Sequence, residues 1–181
     1  MPVCRRWPKM NPIEAAVRGH DWLGARRLIQ RELRSKPTDH WLVSRLGLTY
    51  YEQRRYRKAL EVARQAYRLA PRCPLVLWDY AGTLQMNGRH RDALSVYRRL
   101  VRRGIDSVAN GPCGEGRARA TALVADSLFR MARSLEALGK PRAALNAFEK
   151  HLDLRGPGCR SLYSLKEVGR RQERIRNAAP A

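Results

Sequence analysis

Apolar residues in this chain recur at steps of three and four, and short polar or turn-forming stretches interrupt them. The pattern is clearest between residues 40 and 70, where the apolar and small positions are Leu42, Leu46, Tyr50, Tyr56, Ala59, Leu60, Ala63, Ala66 and Tyr67. Such steps place side chains on one face of an α-helix, whereas a strand would need alternation at every second residue. The pattern therefore predicts pairs of amphipathic helices and an all-α fold.

The helix pairs repeat along the chain with a fixed period. Ala25, Ala59 and Ala93 are separated by intervals of 34 residues, and Pro37 and Pro71 share that interval. Small residues at these positions allow two helix backbones to approach closely, so that each pair closes into a hairpin. A single hairpin cannot bury its apolar stripe, but stacked neighbours form a continuous core. The period thus predicts a stacked array of helix hairpins.

Four repeating units can be placed in near register. With the recurring alanine at the twentieth position, three units run over 6–39, 40–73 and 74–107, and a fourth covers about 125–158 after an insertion. The fourth unit keeps Leu128, Ala132, Leu135, Gly139, Ala144 and Phe148. Over about residues 6–158 the chain resembles the tetratricopeptide repeat family. The resemblance implies one domain over 1–181, a right-handed superhelical stack of four antiparallel hairpins closed by a C-terminal capping helix.

Two irregular stretches and two caps complete this plan. The glycines and proline of residues 108–116 predict a loop insertion, and the apolar steps beyond it predict a long helix that begins near Arg117. Asn11 and Pro12 have the order of an N-cap and a first helical residue. Ser164 and Glu167 have capping-box spacing, so a capping helix is expected at about 164–176.

The resemblance also implies a binding groove, because in this family the first helix of each repeat lines a concave face. Carried over position by position, the groove set is Trp41, Arg45, Leu48, Tyr51, Trp78, Gln85, Phe129, Arg130 and Arg133. Aromatic side chains interleaved with arginines are suited to hold an extended peptide or a helix through apolar anchors and charge-assisted hydrogen bonds. The lysine and asparagines of the chaperone-tail-binding members are absent, since Ser44, Leu48 and Trp78 stand at those positions.

The charge of the chain adds a second hypothesis. There are 37 lysines and arginines against 16 acidic residues, a formal net charge of +21. Four arginines on the second helix of the third unit avoid its apolar positions and predict a basic ridge on the outer side, formed by Arg98, Arg99, Arg102 and Arg103. Such a ridge is either a solvated face or a contact for a polyanion such as RNA, DNA or an acidic protein.

Several function classes are disfavoured. No stretch approaches the 18 apolar residues of a membrane span, and the first residues lack a secretory apolar run. The four cysteines are widely scattered, so they are expected to be reduced thiols without a metal site. No arrangement of nucleophile and base or of paired carboxylates is present. We therefore expect a cytoplasmic protein with no catalytic residues and no cofactor.

The leading hypothesis is a non-enzymatic adaptor that binds a segment of a partner protein in its groove. The alternative is a basic helical repeat protein that binds RNA or DNA phosphates. A third hypothesis, a homo-oligomer in which Trp7 and Trp22 of the first unit cover a neighbouring copy, also remains open.

Overall fold

The computed structural model describes residues 11–111, 113–114, 116–156 and 159–178, so Trp7 and the start of the first predicted repeat lie outside it. Ten α-helices and no strand are found in these ranges. The chain divides into two compact units, Met1–Asn87 and Gly88–Ala181. Within the described ranges, no helix combines the length and the apolar character that crossing a membrane requires.

The first unit holds five helices. They are α1 (Pro12–Arg18), α2 (Trp22–Ser35), α3 (His40–Glu52), α4 (Tyr56–Leu69) and α5 (Pro74–Met86). Each helix packs on the next, and α3 also packs directly on α5. Ile13, Ile29 and Leu42 form a buried cluster in this unit, while Ala25 and Ala59 are 0% exposed. The recurring alanines thus lie at the close contacts that the period predicts.

The second unit also holds five helices. They are α6 (His90–Arg102), α7 (Gly104–Asn110), α8 (Arg117–Ala137), α9 (Pro141–Asp153) and α10 (Leu165–Ala178). The central helix α8 packs on α6, α7 and α9, and α10 packs on α9. The core of this unit includes Phe129, Phe148, Val168 and Ile175. Burying each of these large apolar side chains stabilises the fold by roughly 1.5–3 kcal/mol.

Some local expectations are confirmed and others need correction. Asn11 caps α1, because its Oδ1 accepts a hydrogen bond of 2.7 Å from the Glu14 amide. The long helix begins at Arg117, as the apolar steps indicated. Residues 108–110, in contrast, belong to α7 rather than to a loop, since Val108 buries its side chain there. Cys73 and Cys159 are free thiols, but Cys113 is disulfide-bonded, which corrects the expectation of reduced cysteines for that residue.

One backbone feature recurs with the repeat. The second residue after the first helix of a hairpin adopts a left-handed conformation at His20 (φ 57°), Arg54 (φ 58°), Gly88 (φ 74°) and Gly139 (φ 67°). The first three are spaced by 34 residues, and Gly139 has the same place in the fourth repeat. Only glycine adopts this conformation without a steric cost, so the turn is strained at His20 and Arg54.

Candidate partner-binding surfaces

The predicted groove residues of the first unit lie on α3 and α5, two helices that pack directly on each other. Two side-chain contacts join its helices: Arg45 Nε lies 2.7 Å from Glu14 Oε1, linking α3 to α1. Ser44 Oγ donates to Asp79 Oδ2 at 2.5 Å, linking α3 to α5. We call this the α3–α5 surface and define it by its predicted groove residues, which are Trp41, Arg45, Leu48, Tyr51 and Trp78.

The aromatic and apolar members of the α3–α5 surface keep part of their area exposed. Trp41, Leu48, Tyr51 and Trp78 are all partly buried. Trp41 packs against the buried cluster of this unit, and the guanidinium carbon of Arg45 lies 5.4 Å from its ring centroid. Partly buried tryptophan and tyrosine side chains are suited as anchors for a partner.

Two polar side chains of α5, Gln85 and Asp79, lie outside the set that defines this surface. Gln85 is buried, with 6% of its area exposed. Burial raises the pKa of the Asp79 carboxyl from its ordinary 3.8 to about 6, and the charge of Arg45 and the hydrogen bond from Ser44 oppose this rise. Asp79 is partly buried, and its bond from Ser44 connects α5 to α3 within the unit.

The matching face of α8 in the second unit is covered by the chain's own C-terminal segment. The ring of Tyr163 stacks on that of Phe129, with centroids 3.7 Å apart and 10° between the ring planes. Phe129 is 0% exposed and also contacts Phe148 edge-on at 5.3 Å. The sequence places Phe129 in an open groove, but the structure buries it because Tyr163 occupies the space in front of its ring.

Other groove positions of α8 contact the same segment. The carboxylate of Asp126 accepts hydrogen bonds from Ser161 Oγ at 2.5 Å and from the Leu162 amide at 3.0 Å. Arg130 Nε donates to the Tyr163 hydroxyl, and Arg133 is partly buried one turn further along α8. Sequence reasoning missed Tyr163, since it stands outside the repeats and no periodic signal marks it.

Comparison with known proteins identifies the family. Two models of the tetratricopeptide repeat match the chain, one over residues 44–108 and one over 126–151. The chain is a tetratricopeptide repeat protein. Its helix order, without a strand in the described ranges, is that of an all-α solenoid built from such repeats.

Solved structures similar to this tetratricopeptide repeat protein include three of MamA. Two MamA crystal structures share 17% sequence identity with it. The first has a TM-score of 0.62, and the alignment covers 93% of this chain and 94% of the MamA chain. The second has a TM-score of 0.61 and covers 93% and 92%. A MamA RS-1 ArsTM double mutant has a TM-score of 0.60 at 17% identity and covers 79% and 71%. At this identity the likeness shows the fold alone. Among curated protein sequences, none is significantly similar.

Three arginines of the predicted ridge lie on α6 of this tetratricopeptide repeat protein, and the fourth, Arg103, follows its last residue. Arg98, Arg99 and Arg102 are exposed, whereas Arg103 is partly buried and its Nη2 donates to the Ser107 carbonyl at 3.2 Å. The opposite side of α6 is buried, with Tyr97 at 0% exposure. The ridge thus presents at least three exposed guanidinium groups to solvent.

Proposed function

We propose that this tetratricopeptide repeat protein is a non-enzymatic interaction scaffold whose α3–α5 surface binds a peptide or helix of a partner protein. The observation that carries the proposal is the row of partly buried apolar side chains, Trp41, Leu48, Tyr51 and Trp78. Tryptophan and tyrosine side chains are enriched among the residues that dominate binding energy.

The polar contacts of the surface support the same function. Glu14 holds Arg45 against the ring of Trp41, and the side chains of this ion pair are only 15% and 25% exposed for Arg45 and Glu14. Side chains that are fixed before binding lose less conformational entropy when a partner arrives. Phe129 and Gln85 are left out of the proposed contact set because they are buried.

The experiment compares Trp78→Ala with the wild type in quantitative affinity capture from the native host. Removing a central aromatic anchor typically costs about 2 kcal/mol or more, which lowers affinity by about 30-fold. The proteins that bind this surface should therefore be lost from the Trp78→Ala sample. Circular dichroism on both proteins shows whether the helical fold is retained.

The matched control is Trp22→Ala. Trp22 is also a partly buried tryptophan of the first unit, but it lies on α2, where its ring meets His20 edge-on at 5.2 Å. This variant should capture the same proteins as the wild type. Equal recovery with all three proteins, or equal loss with both variants, would contradict binding at the α3–α5 surface.

A second candidate function is association with nucleic acid through the arginine ridge. The exposure of Arg98, Arg99 and Arg102 on one helix, in a chain of net charge +21, favours it. Three phosphate contacts predict an affinity that falls with a slope of about −2 to −3 in log K against log salt. The test is a titration of RNA and duplex DNA at low and moderate salt. It compares the wild type with a variant in which Arg98, Arg99 and Arg102 are all replaced by Gln. Absence of binding by the wild type at low salt refutes it.

A further inference from the structure

The connection between α9 and α10 is longer than a pair of packed helices requires. It runs over residues 154–164, whereas residues 138–140 suffice to join α8 to α9. Connections between packed helices usually have about two to eight residues, so this one has chain to spare. Part of it lies over α8, where Ser161, Leu162 and Tyr163 contact the groove-side face of that helix. We call these three residues the α8 strap.

The α8 strap is held through its backbone, as a bound peptide would be. The Asp126 carboxylate accepts a hydrogen bond from the Leu162 amide at 3.0 Å. Arg155 Nη1 donates to the carbonyl of Tyr163 at 2.8 Å. Bonds to backbone groups give a peptide-binding site affinity for many sequences, whereas its contacts with side chains decide which sequence it prefers. The side chains of the strap therefore indicate the preference of this face.

Two of the three strap side chains make specific contacts with α8. The ring of Tyr163 stacks on Phe129 with centroids 3.7 Å apart, and its hydroxyl accepts a hydrogen bond from Arg130. The Ser161 hydroxyl donates to the carboxylate of α8 at 2.5 Å. The side chain of Leu162, between them, is 75% exposed. The face is thus fitted to a hydroxyl residue and, two positions later, a tyrosine, and it leaves the residue between them free to vary.

We propose that the α8 strap is an internal ligand that closes a second binding site, whose external ligand is a partner segment with serine or threonine followed two residues later by tyrosine. Asp126, Phe129 and Arg130 would make to that segment the contacts that they make to the strap. Because the strap belongs to the same chain, its effective concentration is high and it competes with any external segment. The apparent affinity for the partner is lowered by the fraction of molecules in which the strap is closed. The proposal concerns the second unit and does not depend on the function of the α3–α5 surface.

The test uses a fluorescently labelled peptide with the sequence of residues 160–166, which contains the strap. The full chain is titrated into it, and fluorescence anisotropy measures binding. Tyr163→Ala removes the anchor of the strap and leaves Asp126 and Phe129 in place for the peptide. This variant should bind the peptide about 30-fold more tightly than the wild type, a factor that corresponds to about 2 kcal/mol. A peptide carrying Tyr163→Ala should bind neither protein.

The matched control is Leu162→Ala, which shortens an exposed side chain of the strap and keeps its backbone amide. This variant should bind the peptide as weakly as the wild type does. Adding Asp126→Ala to Tyr163→Ala should weaken peptide binding about tenfold, because the serine hydroxyl and the backbone amide of the peptide lose their acceptor. Circular dichroism on each variant shows whether the helical fold is retained.

Ser161→Ala opens the strap in a second way, since it removes one hydrogen bond and keeps the stack on Phe129. It should raise the affinity for the peptide about fivefold. The proposal is overturned if Tyr163→Ala and Ser161→Ala bind the peptide no better than the wild type, or if Leu162→Ala gains as much affinity as they do. Equal binding of the peptide and its Tyr163→Ala form would show that the face does not recognise tyrosine, which also overturns it.

Discussion

Replacing Asp79 by Asn should make the protein more stable at neutral pH. The carboxyl lies between α3 and α5, where Ser44 Oγ donates to it at 2.5 Å. Burial raises its pKa from 3.8 to about 6 despite the opposing charge of Arg45 and the bond from Ser44. Each pKa unit corresponds to 1.36 kcal/mol, so a shift of about two units costs the folded state up to about 3 kcal/mol once the carboxyl ionises.

The sign follows from proton binding. Between about pH 4 and pH 6 the folded state holds the Asp79 proton more firmly than the unfolded chain does. Stability therefore falls as the pH rises through this window, and the full cost is present above it. Asn does not ionise, and its amide oxygen can still accept the Ser44 hydroxyl. We expect Asp79→Asn to match the wild type near pH 4 and to exceed its free energy of unfolding by about 1–3 kcal/mol at pH 7.

Urea denaturation at a series of pH values measures this difference. Ser44→Ala is the companion variant, because it removes a hydrogen bond that favours the ionised carboxyl. It should extend the pH-dependent loss of stability to higher pH and make it larger, whereas Asp79→Asn should abolish it. If Asp79→Asn is no more stable than the wild type at pH 7, or if the difference between them does not change with pH, Asp79 does not ionise at a cost to the fold.

Two further predictions concern the turns and the C-terminal segment. Arg54→Gly should stabilise the protein by about 0.5–1 kcal/mol, because glycine relieves the strain of the left-handed backbone. Gly88→Ala should destabilise the protein by about 1 kcal/mol through the same backbone strain, although the added methyl group meets no atom within 4 Å. Thermal unfolding measures both changes, and a change of the opposite sign in either variant would contradict the prediction. Tyr163→Ala should cost about 2–3 kcal/mol through the lost stack on Phe129, and Tyr163→Phe about 1 kcal/mol through the lost bond from Arg130. In urea unfolding, equal costs for the two Tyr163 variants would mean that the stack contributes nothing.

The repeating part of the fold is readable from the sequence because its cause is local. Ala25, Ala59 and Ala93 mark the close approach of two helices in each hairpin, and all three are 0% exposed. The left-handed turn can be predicted from the sequence only in part. Glycine indicates it at Gly88 and Gly139, whereas His20 and Arg54 adopt the same backbone conformation without being glycine. The position within the 34-residue repeat therefore determines the left-handed conformation, and the residue type determines only the strain energy of that conformation.

The non-repeating parts could not be read in this way. The glycines and proline of residues 108–116 predict a loop, whereas the structure continues α7 to Asn110. The stack of Tyr163 on Phe129 joins residues more than thirty positions apart. A rule that assigns groove positions within a repeat contains no information about such a contact. The rule therefore assigns Phe129 to a helix face and does not predict its burial under Tyr163.

The groove-side face of the first helix of a repeat therefore differs between the two units in how accessible it is to a partner. On α8, a partner aromatic group would first have to displace Tyr163 from Phe129 and break the bonds between Asp126 and the segment at Ser161 and Leu162. An aromatic stack alone contributes about 0.5–1.5 kcal/mol beyond its buried area, so this competition weakens any partner that needs the α8 apolar face. The partly buried Trp78 and Tyr51 retain exposed area on the α3–α5 surface. An apolar partner segment should accordingly bind the first unit in preference to the second.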